Sequence, residues 1–278
     1  MSLSLTLLVL LAAVLHAVWN AFVRADTDRL GAIARLALAT SAITVLIVPF
    51  FAFPSRRAWV FLGATLVLHT AYNFFLAKAY EQGALGKVYP LARGTAPLIV
   101  ALVSTLFLGE ALPPTALAGS VLLAVAIISI AWQTAHGAAS KQSVGYALLT
   151  SIFIAAYTLV DGLGGRAAQS PHVYVLWLFF LYGYPIAAIV LWRRGAAFLR
   201  AGRQIWAISF AGGAMSMAAY WIIIWAMKHA ALGPVAALRE TSVIIAVLIS
   251  GLVMKEALSI RVFIAAAGVV LGIALLRL

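Results

Sequence analysis

Long apolar stretches follow one another along almost the whole chain, separated by short clusters of charge, proline and glycine. The clusters are Asp26-Thr27-Asp28-Arg29, Pro54-Ser55-Arg56-Arg57, Glu81-Gln82-Gly83, Gly109-Glu110 with Pro113-Pro114, His136–Ser143, Gly165-Arg166 to Pro171, Arg193–Arg203 and Lys255-Glu256. Between them the runs are 18–25 residues long, about what a helix needs to cross a hydrocarbon core. Strands of a membrane barrel would instead alternate over about ten residues. The pattern predicts ten helices, over 3–24, 30–53, 58–80, 87–108, 115–133, 144–165, 172–192, 204–228, 233–253 and 259–277. The first run opens at Leu3 without a basic segment and reads as a span rather than a signal peptide. Loops this short make consecutive helices antiparallel neighbours, and only 134–143, at the midpoint, resembles a linker.

The two halves repeat. Residues 93–112 align without gaps on 239–258, pairing Arg93 with Arg239, Thr95 with Thr241, Ser104 with Ser250 and Glu110 with Glu256. Apolar bias produces Leu and Ile matches easily, but not these polar ones in register. Upstream, Leu85-Gly86-x-Val88 matches Leu232-Gly233-x-Val235. The domains expected are 1–133 and 144–278, five helices each. With an odd number of spans per repeat, equivalent helices cross the membrane in opposite directions. The fold class is therefore an all-α membrane protein, ten transmembrane helices as two inverted five-helix repeats. Secondary transporters built this way hold solute near the midplane, between the repeats.

Composition narrows the picture. Of 278 residues, 65% are hydrophobic and 9% charged, which cannot cover a water-facing surface and leaves no room for an extramembrane domain. Disorder is excluded by the same numbers. The net charge of +12 would suggest nucleic acid in a soluble protein, but these basic residues sit in loops, where they orient spans; no nucleic-acid partner is expected. The chain has no cysteine, hence no disulfide or thiolate site, and no Gly-rich phosphate loop, HExxH or suitable GxSxG. No enzyme activity, cofactor or metal is expected.

Polar groups within spans are costly and become site candidates. His16, Trp19 and Asn20 in the first span, and His69, Tyr72 and Asn73 in the third, both read His-x-x-aromatic-Asn, which places the three side chains on one helical face. Tyr157-Thr158 and Tyr220-Trp221 hold the corresponding places in the sixth and eighth spans. The functional reading is a cavity with an aromatic wall and amide or imidazole donors; the bland alternative is hydrogen bonding between helices. Arg93 and Arg239 lie about two turns inside the fourth and ninth spans, with guanidinium forks suited to a carboxylate or phosphate. Arg239 has Glu240 as an obvious partner, whereas Arg93 has no adjacent acid. Asp161 and Glu240 are the acids within helices and are candidates for coupling to protons, a structural ion pair being the alternative. Glu110 and Glu256, at helix ends, are expected to cap the helix that follows. Gly268 and Gly272 form a close-packing face, for intrachain contact ahead of a dimer.

Tyr89-Pro-Leu-Ala-Arg-Gly-Thr-Ala-Pro97, the run to Leu108-Gly109-Glu110 with Gly119 beyond it, and the copy from Leu238-Arg-Glu-Thr-Ser242 to Lys255-Glu256 resemble the EamA-like branch of the drug/metabolite transporter superfamily. Ala156-Tyr-Thr-Leu-Val-Asp-Gly162 and His16-x-x-Trp-Asn20 are similar to one subgroup of it. The resemblance implies a central cavity lined by spans 1, 3, 4, 6, 8 and 9, with spans 5 and 10 peripheral. The small multidrug branch places an acid in its first helix; here His16 and Asn20 stand there instead, which disfavours cationic drugs. The expectation is a secondary transporter in the cytoplasmic (inner) membrane, moving a small anionic or zwitterionic metabolite by alternating access. Export is favoured and proton coupling is open. A passive channel, or a non-transporting receptor or assembly factor, remains the alternative. Its partners are the solute and the lipid bilayer; a monomer suffices, with a homo-oligomer left open. Loops after odd-numbered spans carry twelve basic residues against five on the other side, which puts the termini outside, whereas the resemblance implies cytoplasmic termini.

Overall fold

A computed structural model describes the backbone of all residues except 27, 83–84, 134–139 and 255–259; the side chains of 24–25, 27, 29, 77, 80–87, 89, 131–139 and 250–259 also lie outside it. The helices are α1 (Leu3–Ala25), α2 (Arg29–Ile47), α3 (Arg56–Gln82), α4 (Leu85–Phe107), α5 (Pro114–Gln133), α6 (Lys141–Ala167), α7 (Pro171–Arg194), α8 (Arg203–His229), α9 (Leu232–Arg239), α10 (Ser242–Met254) and α11 (Ile260–Arg277). Short 3-10 segments, Val48–Phe50 and Gly195–Arg200, extend α2 and α7. Among the described residues, nine segments are long and apolar enough to cross a membrane, and Pro114–Ile130 is a shorter apolar helix. The starts follow from capping chemistry. Ser2, Asp28, Ser140 and Ser170 each accept a backbone N–H from the first turn, satisfying donors that have no partner inside the helix.

One predicted element differs. The ninth span is not a continuous helix but α9 and α10, broken at Glu240 and Thr241. No glycine or proline marks the break. The Thr241 hydroxyl donates to the Leu238 carbonyl at 2.7 Å, and the Glu240 amide is shared among the carbonyls of Ala236, Ala237 and Leu238. Such local bonds compete with the regular helical ladder. In the first repeat, α4 contains Pro90 and Pro97 and yet stays continuous, as membrane helices with neighbours to satisfy their carbonyls can.

Packing has the symmetry that the repeat predicts. α1 lies against α8 as α3 lies against α6; α2 pairs with α7, α5 with α11, and α4 with α9. Exchanging the halves maps this set onto itself. Small residues set the closest approaches. A methyl on Gly119 would fall 2.7 Å from the Gly272 carbonyl oxygen, and one on Gly272 would fall 2.8 Å from Leu123 Cγ. The glycine face of the last helix is thus used within the chain, against α5.

Both termini lie at one end of the bundle, where the Met1 amino group donates to the Leu276 carbonyl at 3.3 Å. At that end Glu110 receives Arg166 at 2.6 Å and accepts the Leu232 amide at 2.8 Å. Arg166 also donates to the carbonyls of Met227 and Ala230. A carboxylate sits on the N-terminus of α9 and a guanidinium on the C-terminus of α8, the arrangement that helix dipoles favour. Glu110 therefore caps a helix of the opposite repeat rather than the one that follows it. Glu256, its expected counterpart, lies outside the described residues.

Candidate functional site

The polar side chains of the spans gather at mid-bundle in two connected groups. The first surrounds Glu240 at the α9–α10 break. One carboxylate oxygen lies 2.5 Å from Arg93 Nε; the other lies 2.9 Å from Arg239 Nη2 and 3.0 Å from Arg239 Nε. Both arginine side chains are 4% exposed and the Glu240 side chain is fully buried. Arg93, which sequence neighbours left without an acid, is thus held by Glu240 across the repeat boundary. Arg93 Nη2 also donates to His16 Nε2 at 3.1 Å. Since arginine only donates, that imidazole nitrogen is the unprotonated one. Arg239 Nη2 donates to the Thr158 hydroxyl at 3.2 Å. Two guanidiniums share one carboxylate, so the group has an excess positive charge. Beside it, the Trp19 ring meets His16 edge-on with centroids 4.9 Å apart. Its buried indole N–H has no acceptor among the described residues.

The second group surrounds Asp161. Its Oδ1 accepts the Tyr174 hydroxyl at 2.8 Å; its Oδ2 accepts the Tyr220 hydroxyl at 2.5 Å and lies 3.3 Å from His69 Nε2. Gly164 makes room for this arrangement, because a methyl there would overlap the Tyr174 ring. Tyr157 joins the two groups. His69 stacks on its ring with centroids 4.0 Å apart, and the Arg239 guanidinium lies 6.0 Å from the ring centroid on its way to Glu240. Tyr72 meets Tyr157 edge-on, and Tyr182 meets His69 likewise.

Of the residues singled out from sequence, His16, Trp19, Arg93, Arg239 and Glu240 thus share one group, and His69, Tyr72, Tyr157, Tyr220 and Asp161 the other. Asn20 and Asn73 use their amide N–H groups on the carbonyls of His16 and His69, one turn back in their own helices. Trp221 points elsewhere: its indole donates to His172 Nδ1 at 2.6 Å near an exposed rim. Tyr174 and Tyr182, from the seventh span, were not singled out. The glycines of Gly162-x-Gly164-Gly165, small enough to admit a ring from a neighbour, are the one sequence signal that pointed to Tyr174. No group of three or more acids or histidines fit to hold a metal occurs among the described residues.

With this geometry established, similarity to known proteins narrows the class. Residues 142–278 match the profile of the EamA-like transporter family. The match covers the second half of the chain, which is similar to the EamA-like transporters of the drug/metabolite superfamily. A solved crystal structure superimposes with a TM-score of 0.78, covering 99% of this chain and 96% of the other at 20% identity. At that identity the likeness speaks for the fold alone, which it extends across both halves of the chain. No curated protein matches the sequence.

Proposed function

We propose that this protein moves a small anionic or zwitterionic organic metabolite across the cytoplasmic membrane by alternating access, in the direction of efflux. The observation that carries the reading is the Arg93–Glu240–Arg239 group. Two guanidiniums with a single carboxylate between them, at a broken span near mid-bundle, provide a permanent excess of positive charge. A solute carboxylate or phosphate satisfies that excess bidentately. The Trp19 N–H, which has no acceptor among the described residues, supplies a further donor beside it. His16, Trp19, Asn20, Arg93 and Arg239 form the acidic-group end of the site. His69, Tyr72, Asn73, Tyr157 and Tyr220 form an aromatic end. Asp161, held by two tyrosines and His69, is the residue through which a proton would couple, with Glu240 as the second candidate.

The reading is tested in proteoliposomes loaded with a panel of labelled carboxylates, phosphorylated compounds and amino acids, with and without a pH gradient. Saturable flux with counterflow is expected, and Arg93→Lys, which keeps the charge but loses the fork, should lower it at least tenfold. Absence of flux for every compound would overturn the proposal. Flux without saturation or counterflow would identify a channel.

A further inference from the structure

The end of the bundle opposite the termini carries a folded basic cap that the mid-bundle site does not use. α7 closes at Gly195, whose φ of 69° suits glycine, and the chain runs through Gly195–Arg200 before α8 begins at Arg203. Three contacts fix this turn. Phe198 is buried against Ala34, Ala37, Ile186 and Val190. Its carbonyl accepts Arg35 Nη1 at 3.3 Å, and Arg35 is itself held by Asp26 at 2.6 Å. The Leu199 carbonyl accepts the Trp206 indole N–H at 3.3 Å. Arg194 pairs with Asp28 at 3.0 Å. Arg193, Arg200 and Arg203 stand exposed on the ordered turn.

Beside the cap a crevice of about 600 Å³ opens sideways between α2, α7 and α8. Leu38, Ala42, Val45, Tyr184, Trp206 and Phe210 line it. Of the two hydroxyls in its lining, that of Ser41 already donates to the Phe179 carbonyl and accepts the Gly183 amide, which leaves the Tyr184 phenol. Apart from that phenol and the Trp206 N–H, which the Leu199 carbonyl accepts, the wall is apolar. Trp206 belongs to both features: its ring lines the crevice, its N–H anchors the turn bearing Arg200, and Arg203 lies one helical turn before it.

We propose that cap and crevice together form a site for one anionic phospholipid, its phosphate on Arg193, Arg200 and Arg203 and an acyl chain in the crevice. Guanidiniums form paired hydrogen bonds with phosphate oxygens, and basic pockets between helices at the interface hold anionic headgroups. The tail distinguishes this ligand from a soluble anion, which the cap alone would bind.

The test is intact-protein mass spectrometry of the detergent-solubilised full chain with equimolar dioleoylphosphatidylglycerol and dioleoylphosphatidylcholine. Preferential retention of one phosphatidylglycerol is expected, with the preference falling about fivefold per arginine replaced in Arg193→Gln, Arg200→Gln and Arg203→Gln. Ala42→Trp, which fills the crevice, should reduce retention of both lipids. Equal retention of the two lipids by the native protein would overturn the proposal, as would a preference that survives the triple replacement. Displacement of the lipid by equimolar inorganic phosphate would overturn it too, reducing the cap to a plain anion site. The arginine replacements lie on the surface, so the headgroup result stands even if Ala42→Trp does not fold.

Discussion

Replacing Glu240 by glutamine changes almost no volume but removes the single negative charge between two buried guanidiniums. Each carboxylate oxygen now serves one arginine, Oε2 facing Arg93 and Oε1 facing Arg239. In Glu240→Gln the amide oxygen can accept from only one of them, and the amide NH₂ must face the donors of the other. Neutralising one member of a buried pair costs about 3–5 kcal/mol. Here two cations are left facing each other, so the upper part of that range applies. For a chain of this size the loss corresponds to a fall on the order of 10 °C in the unfolding midpoint. Arg93→Met leaves the Glu240–Arg239 pair intact and electrically balanced, and should cost distinctly less. Adding Arg93→Met to Glu240→Gln should recover part of the loss, because it removes one of the opposed cations. Thermal unfolding of the four proteins in one detergent, followed by tryptophan emission, gives the order directly. A Glu240→Gln protein within about 1 kcal/mol of the native one, as for an exposed pair, would refute the reasoning. So would an Arg93→Met protein damaged as severely as Glu240→Gln.

Asp161→Asn weakens the charge-assisted bonds from Tyr174 and Tyr220, at about 1.5–3 kcal/mol in total, and should flatten the pH profile of flux if the carboxylate carries the proton. His69→Gln keeps a hydrogen-bonding side chain beside Asp161 but removes the ring stacked on Tyr157; saturable flux should fall severalfold while the unfolding midpoint stays close to native. Gly164→Ala drives a methyl into the Tyr174 ring, which should cost about 1–3 kcal/mol by overpacking, read as a lowered unfolding midpoint. Gly272→Leu should cost a similar amount at the α5–α11 contact without changing the particle mass in size-exclusion with light scattering, since that glycine face is turned inward.

The spans were legible in the sequence, and so were the polar residues that interrupt them, because each depends on local spacing. A charge in a long apolar run identifies itself, and Arg93 and Arg239 share a register that composition does not produce. What stayed hidden depends on how helices rotate against one another. The pairing of Arg93 with Glu240 joins residues of opposite repeats. Tyr174 enters the Asp161 group from the seventh span because the sixth presents glycines there, a fit between two surfaces that neither segment reveals alone. The break at Glu240 was missed for a different reason. The usual markers, proline and glycine, lie in the fourth span, which is continuous, while in the ninth the side-chain oxygen of Thr241 interrupts the ladder. Trp221 was grouped with the cavity by its position in the repeat, yet its indole is directed to His172.

The break also bears on how the two repeats divide their labour. At the position where the first repeat has Gly94, packed so closely on α5 that a methyl would fall 2.6 Å from Ile128 Cγ1, the second has Glu240. One half therefore has a continuous helix braced against its neighbour, and the other has a break at the counter-ion of both arginines. An anion that drew a guanidinium away from Glu240 would act on the very residue at which the span breaks. A bundle symmetrical in its helix pairing is thus unsymmetrical at this one pair of positions, in backbone and in charge alike.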